Sequence, residues 1–149
     1  MPARFRTLLF CACLMLIATS AAQAGAFKLQ DPRAPNEISE TTRLYIDGRL
    51  AAVIHLHDGL DSYEKIIPVK DAPRAHHYAL CGEMIVIDHE GARVVHQVES
   101  EGILLRPDGH VIIAAADGDL GDFYLMDASE PGATRHEKGK AGICSGPIS

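Results

Sequence analysis

Eight histidines fall in the last 125 residues of this 149-residue chain, and the pair His55-Leu56-His57 has a spacing that could do chemistry. On a strand, side chains two apart leave the same face about 7 Å from one another. Two imidazoles so placed can grip Cu²⁺ or Zn²⁺. A pair alone is a weak site, because a structural zinc takes four protein ligands and a catalytic zinc three. His89, His96, His110, Asp58 or Tyr45 would complete it only if strand order brings one alongside. The plain alternative is two polar residues on a solvated strand face.

Other constellations are poorer. His76-His77 are neighbours, so on a strand they face opposite ways and cannot hold one ion. Asp117-Gly118-Asp119-Leu120-Gly121-Asp122 has the carboxylate density of a calcium loop. Gly121 nevertheless stands where an acid is usual and Ala128 where the bidentate glutamate should be, so a solvated acidic turn is expected. No Gly-x-Ser-x-Gly elbow, Walker loop or dinucleotide fingerprint is present. Glu83, Glu99 and Glu101 could pair for acid–base work, but no spacing rule brings two of them across a cleft. No catalytic residue is assigned on this basis, and no cofactor is required.

The compartment follows from the first residues. Arg4 and Arg6 precede an apolar run, Leu8 to Ala18, and Ala22-Gln23-Ala24 offers a small-x-small cleavage site. Residues 1–24 therefore read as an export signal cut after Ala24. The run of 11 residues is well short of the ~20 that span a bilayer, so no membrane association is expected once it is removed. The destination is periplasmic or extracellular. Two of the four cysteines leave with the signal, and Cys81 and Cys144 remain in an oxidising compartment, where one disulfide is expected.

Removing 24 of 149 residues leaves 125, enough for one domain. Arg4 and Arg6 leave too, so 12 basic face 20 acidic residues, a formal charge of −8. That balance argues against nucleic acid, which is bound through cationic surface, and allows a basic protein partner.

The elements that must position these residues are short strands. Residues 25–41, with Asp31-Pro32 and Ala34-Pro35, read as an extended leader rather than a packed element, and 42–149 as a single β domain. From Thr42 onward, β-branched runs are punctuated by Asp47-Gly48, Asp58-Gly59, Glu90-Gly91, Asp108-Gly109 and Asp117-Gly118. This is the turn chemistry of antiparallel strands. Around Asp47-Gly48 a three-residue loop, pairing Leu44 with Leu50, would collect Leu44, Leu50, Ala52, Ile54 and Leu56 on one face. His55 and His57 would then share the other face with Arg43, Tyr45 and Val53.

Tyr63 to Val69 predicts a strand with Pro68 marking an edge. In His76 to Ile87 the even positions Tyr78, Leu80, Met84 and Val86 form the core set, Cys81 faces outward and Gly82 marks a bulge. Arg106-Pro107-Asp108-Gly109 is expected to close a hairpin between Leu104 and Ala116, and Phe123 to Met126 to end the strand series. Ser129 to Ser149 is expected as a Gly-rich tail whose one firm attachment is Cys144. About eight strands point to an all-β antiparallel sandwich, with a small β-barrel as the alternative.

Three functional readings fit this profile. The first is an exported non-enzymatic binding module for a protein of the cell envelope, of the inhibitor or immunity type, whose acidic charge would steer it onto a basic enzyme. The second is a periplasmic Cu²⁺ or Zn²⁺ binder using His55 and His57. The third is a small hydrolase with an unrecognised carboxylate site.

Overall fold

Alternation of apolar and polar side chains builds the architecture, because each strand offers one face to a common interior. The structure, a computed structural model, describes residues 24–117, 122–138 and 144. Nine strands occur among them: β1 (Gly25–Pro32), β2 (Glu37–Ile46), β3 (Arg49–Leu56), β4 (Ser62–Val69), β5 (His76–Ile87), β6 (Arg93–Leu104), β7 (Val111–Asp117), β8 (Asp122–Asp127) and β9 (Thr134–Lys138). They form a four-stranded sheet ordered β4-β1-β7-β8 and a five-stranded sheet ordered β3-β2-β5-β6-β9. All neighbours are antiparallel except β1 and β7. The two sheets stay separate, so the chain is a sandwich and not the alternative barrel. Phe27, Leu29, Leu44, Ile54, Ile67, Tyr78, Leu80, Ile112 and Leu125 form the interior between them.

The expected core set of β5 is buried, and Cys81 lies on the outer face of its sheet, bonded to Cys144 with Cα atoms 5.6 Å apart. Pro68 sits on an edge strand, where its missing N–H is tolerated. Elsewhere the sandwich corrects the sequence. Residues 25–32 are extended but not peripheral: β1 is an interior strand, paired with β4 on one side and β7 on the other. β2 already begins at Glu37.

The first hairpin has the two-residue loop, with Ile46 opposite Arg49 and positive φ at both Asp47 and Gly48. Those angles are what a type I′ turn demands. The facing conflict is solved by a bulge, since Tyr45 pairs with Leu50 but Leu44 with Ala52, leaving Ala51 as the extra residue. Leu44, Ile46, Ala52, Ile54 and Leu56 consequently point inward and Leu50 outward. Gly82 is not a bulge; the register runs straight through it. A Cβ there would stand 2.1 Å from the Thr41 carbonyl oxygen, so the glycine permits a close approach of β2 and β5.

The turn at Pro107 to Gly109 joins no hairpin. β6 and β7 belong to different sheets, and the turn carries the chain across the sandwich, held by the Gly109 amide donating to the Ala26 carbonyl. β8 does not end the series either. β9 adds to β6 from Ser100 to Leu104, a second attachment for a segment expected to hang from Cys144 alone.

Candidate functional site

Among the described residues β3 and β4 are edges of their two sheets, each with a partner on one side only. On this open side Lys65 lies in the inward row of β4, opposite Leu29. Its ammonium snorkels out to donate to the Ala51 carbonyl at the bulge, 3.1 Å away. An inward charge of this kind blunts an edge against further pairing. Beyond Lys65 the gap opens into a cleft of about 430 Å³ lined by Ile46, Asp47, Arg49, Leu50, Ala51, Pro68, Val69, Lys70 and Arg74. Its apolar lining includes exposed Leu50 (52%).

One corner of the cleft is rigidly built. Asp47, fixed by its turn, accepts from His76 Nδ1 (2.7 Å), Arg74 Nη2 (2.9 Å) and the His77 amide (3.1 Å). Partial burial pushes the Asp47 carboxyl up, but the His76 bond, the His77 amide and the Arg74 charge outweigh it and hold the group below its usual range. His76 is fully buried and its Nε2 has no partner among the described residues. Nothing in the spacing of Asp47 and His76 announces this contact; it follows from the β2–β3 turn lying against the start of β5. A second pair, His110 Nδ1 with Asp127 Oδ2 (2.7 Å), leaves the other Asp127 oxygen to cap the Ser129 and Glu130 amides. Its role is to close the turn after β8.

His55 and His57 do share the outer face of β3, as expected, with ring centroids 5.4 Å apart. Thr41 Oγ1 engages His55 Nδ1 at 3.0 Å. The Asp58 carbonyl accepts from His57 Nδ1 at 2.9 Å, which fixes a tautomer with its lone pair on Nε2. Among the described residues no group of three or more His, Cys, Asp or Glu could hold a metal ion, so His89, His96, His110 and Asp58 do not complete a site here.

His77 is exposed and paired with Glu101 (3.2 Å), while its neighbour His76 points into the core. Glu83, Glu99 and Glu101 all lie on the outer face of the five-stranded sheet, where Glu83 and Glu99 line one open depression of about 540 Å³ with Thr41, Arg43 and the Cys81–Cys144 bridge. Glu99 Oε1 accepts from the Cys144 amide, tying the acid to the disulfide segment.

The acids that do face one another are ones the sequence left unmarked. Asp31, Glu37 and Glu40 continue the inward rows of β1 and β2 and are 1%, 4% and 1% exposed. Asp31 Oδ2, Glu37 Oε1 and both Glu40 oxygens are buried with no hydrogen-bond partner among the described residues. Burial, reinforced by Glu40 and Glu37, pushes Asp31 up to about 9. Burial also raises Glu40 to about 7, opposed by the nearby Thr42 hydroxyl, which is itself short of hydrogen-bonding geometry. Glu37 is raised by burial too, against the Ala34 amide and the Arg33 charge. The Arg33 guanidinium turns away to the Glu37 and Ile38 carbonyls and to Asp58. Sealed from solvent, these carboxyls cannot meet a substrate.

The export signal falls on residues 1–24, of which 1–23 lie outside the described residues, as do 118–121 of the acidic turn and most of the segment around Cys144. No described helix is long and apolar enough to cross a membrane. Compared with protein-family models, curated proteins and solved structures, the chain matches none.

Proposed function

We propose that this chain is an exported, non-enzymatic binding module whose contact surface is the open side of the sandwich between β3 and β4. The observation that carries the reading is the cleft itself: two edge strands flank an opening whose apolar lining of Ile46, Ala51, Pro68 and Val69 also includes exposed Leu50. Beyond the Lys65 contact, the short free ends of the two edges can offer a few main-chain hydrogen bonds and the lining supplies side-chain selectivity, the two components of peptide capture by a sheet. The Cys81–Cys144 bridge supports residence where thiols oxidise, and hence an envelope or extracellular partner. Net negative charge would steer a basic protein of the inhibited or neutralised kind from a distance. The test is a non-denaturing mass measurement of the protein purified from its own compartment. The expected result is a chain that starts at Gly25, lacks two hydrogens and carries a protein partner that Leu50→Asp releases. A partner retained by Leu50→Asp, or a chain that is always alone, would reject this reading.

A second reading, binding of Cu²⁺ or Zn²⁺, is favoured by one observation. Both rings of the His55–His57 pair are oriented through Nδ1, which in His57 leaves the Nε2 lone pair for a metal. Two imidazoles and water suit Cu²⁺ better than a four-ligand zinc. Titration of the purified protein with Cu²⁺ should give one site that the double variant His55→Ala, His57→Ala lacks; unchanged affinity in that variant would dispose of it.

A further inference from the structure

We infer that the segment gripped by the β3–β4 cleft is short, extended and acidic, with one apolar side chain set between carboxylates; this rests on the binding-module reading above. Length comes first. The walls are Arg49 to Ala51 on β3 and Pro68, Val69 and the following Lys70 at the end of β4, and Lys65 bridges to Ala51 at the inner end. Three residues of strand extend ~10 Å, so the opening takes one anchoring side chain and its immediate neighbours, not a full added strand.

Charge selects those neighbours. Arg74 is already paired with Asp47 and Asp71, and that spends both carboxylates at the cleft. Arg49 and Lys70, one on each wall, form no ion pair among the described residues. Two cations without an ion pair thus line the same opening as Ile46, Leu50 and Val69, in a chain that is acidic overall. A lysine-bearing segment would meet these cations head-on, whereas a carboxylate on each side of the anchor would neutralise both. Net charge governs the approach of a whole partner; the local charge of the cleft governs which of its segments docks.

The probes are three blocked seven-residue peptides with a central leucine flanked on both sides by glutamate, glutamine or lysine, titrated onto the oxidised protein at low and physiological salt. The glutamate peptide should bind tightest, weaken as salt rises, and lose about tenfold in affinity, equivalent to ~1.4 kcal/mol, in the Arg49→Glu, Lys70→Glu double variant. Both side chains are exposed, so the variant should keep the wild-type melting profile. Equal binding of the glutamine or lysine peptide, or an unaffected double variant, would overturn the assignment even if Leu50→Asp still releases a native partner. Self-association of the peptide-free protein that the double variant abolishes would also overturn it, by making a second copy the occupant.

Discussion

The buried carboxyls make the sandwich respond to pH in the opposite sense from most proteins. Asp31 is held near 9 and Glu40 near 7 in the folded chain, against ordinary values of 3.8 and 4.5. The folded state therefore binds more protons than the unfolded state between those limits, and stability falls as pH rises. The stabilisation is complete below about pH 4 and is lost as pH climbs toward 9. The groups around the acids do not reverse this. Tyr63 lies opposite Asp31 on β4, Leu56 and Met84 flank Glu40 on β3 and β5, His96 lies beyond Met84 on β6, and Arg33, whose charge acts on Glu37, directs its guanidinium to the Glu37 and Ile38 carbonyls and to Asp58. At pH 7, keeping the Asp31 proton spans about three pH units above its unfolded value, a cost of about 4 kcal/mol at 1.36 kcal/mol per unit. Asp31 and Glu40 titrate as a pair, so that figure sets the scale for the unit rather than for one residue. At about 4 °C per kcal/mol the melting temperature of the oxidised protein should drop by roughly 15 °C between pH 4.5 and pH 7. Asp31→Asn, which mimics the protonated acid, should flatten the profile and raise stability at pH 8. Melting curves recorded by circular dichroism from pH 4.5 to 9 decide the matter. A melting temperature that rises over this range, or an Asn variant less stable than wild type at pH 8, would refute the argument that these groups are buried without compensation.

Four further outcomes are expected. Reducing Cys81–Cys144 opens a loop with a sequence separation of 63 and should cost about 4 kcal/mol, read as a lower urea midpoint in the presence of reductant. Gly82→Ala should destabilise by more than ~3 kcal/mol, because its methyl carbon would overlap the Thr41 carbonyl, and amide exchange should quicken first along β2 and β5. Asp47→Ala removes an acceptor from three donors and should cost about 2–3 kcal/mol in chemical denaturation, leaving buried His76 without a partner. Gly48→Ala forces a side chain to φ +77° and should cost about 1 kcal/mol in the same assay.

What could be read in advance was whatever depended on neighbours in sequence. Period-two alternation put Tyr78, Leu80, Met84 and Val86 inside and Cys81 outside, which brought Cys144 to it; the turn dipeptides marked the strand ends. His55 and His57 share a face for the same local reason. The failures share a different cause. A bulge at Ala51 satisfies the same facing constraint as a longer loop, so composition could not choose between them, and only the pairing with β2 does. The turn at Pro107 to Gly109 has hairpin chemistry but spans two sheets, because turn residues fix a local reversal and not the partner of the strand that follows. Asp31, Glu37 and Glu40 were hidden in a stretch whose prolines and charges suggested solvent. Yet Phe27-x-Leu29-x-Asp31 and Glu40-x-Thr42-x-Leu44 already carry the inward period, and extending it would have placed Asp31 and Glu40 in the core; Glu37 joins them only through the register shift between Glu37 and Ser39. The cleft is of the same kind. Its walls are distant in sequence and become adjacent only because β3 and β4 end their sheets on one side, so Arg49 and Lys70 have no local signature. A chain with −6 net charge can present a cationic groove because sheet order, not composition, decides which charges meet. The buried acids and the exposed cations are two consequences of that order, and they lie at opposite ends of the same open side: one where β1 and β2 seal carboxyls inside, the other where the β2–β3 turn leaves basic groups bare. If so, the pH response and the peptide response should be separable. Asp31→Asn should leave binding of the glutamate peptide unchanged at pH 5, where both proteins are fully folded, and Arg49→Glu should leave the slope of melting temperature against pH unchanged. A shift in both readouts from either substitution would mean that the two ends are coupled through the strands they share.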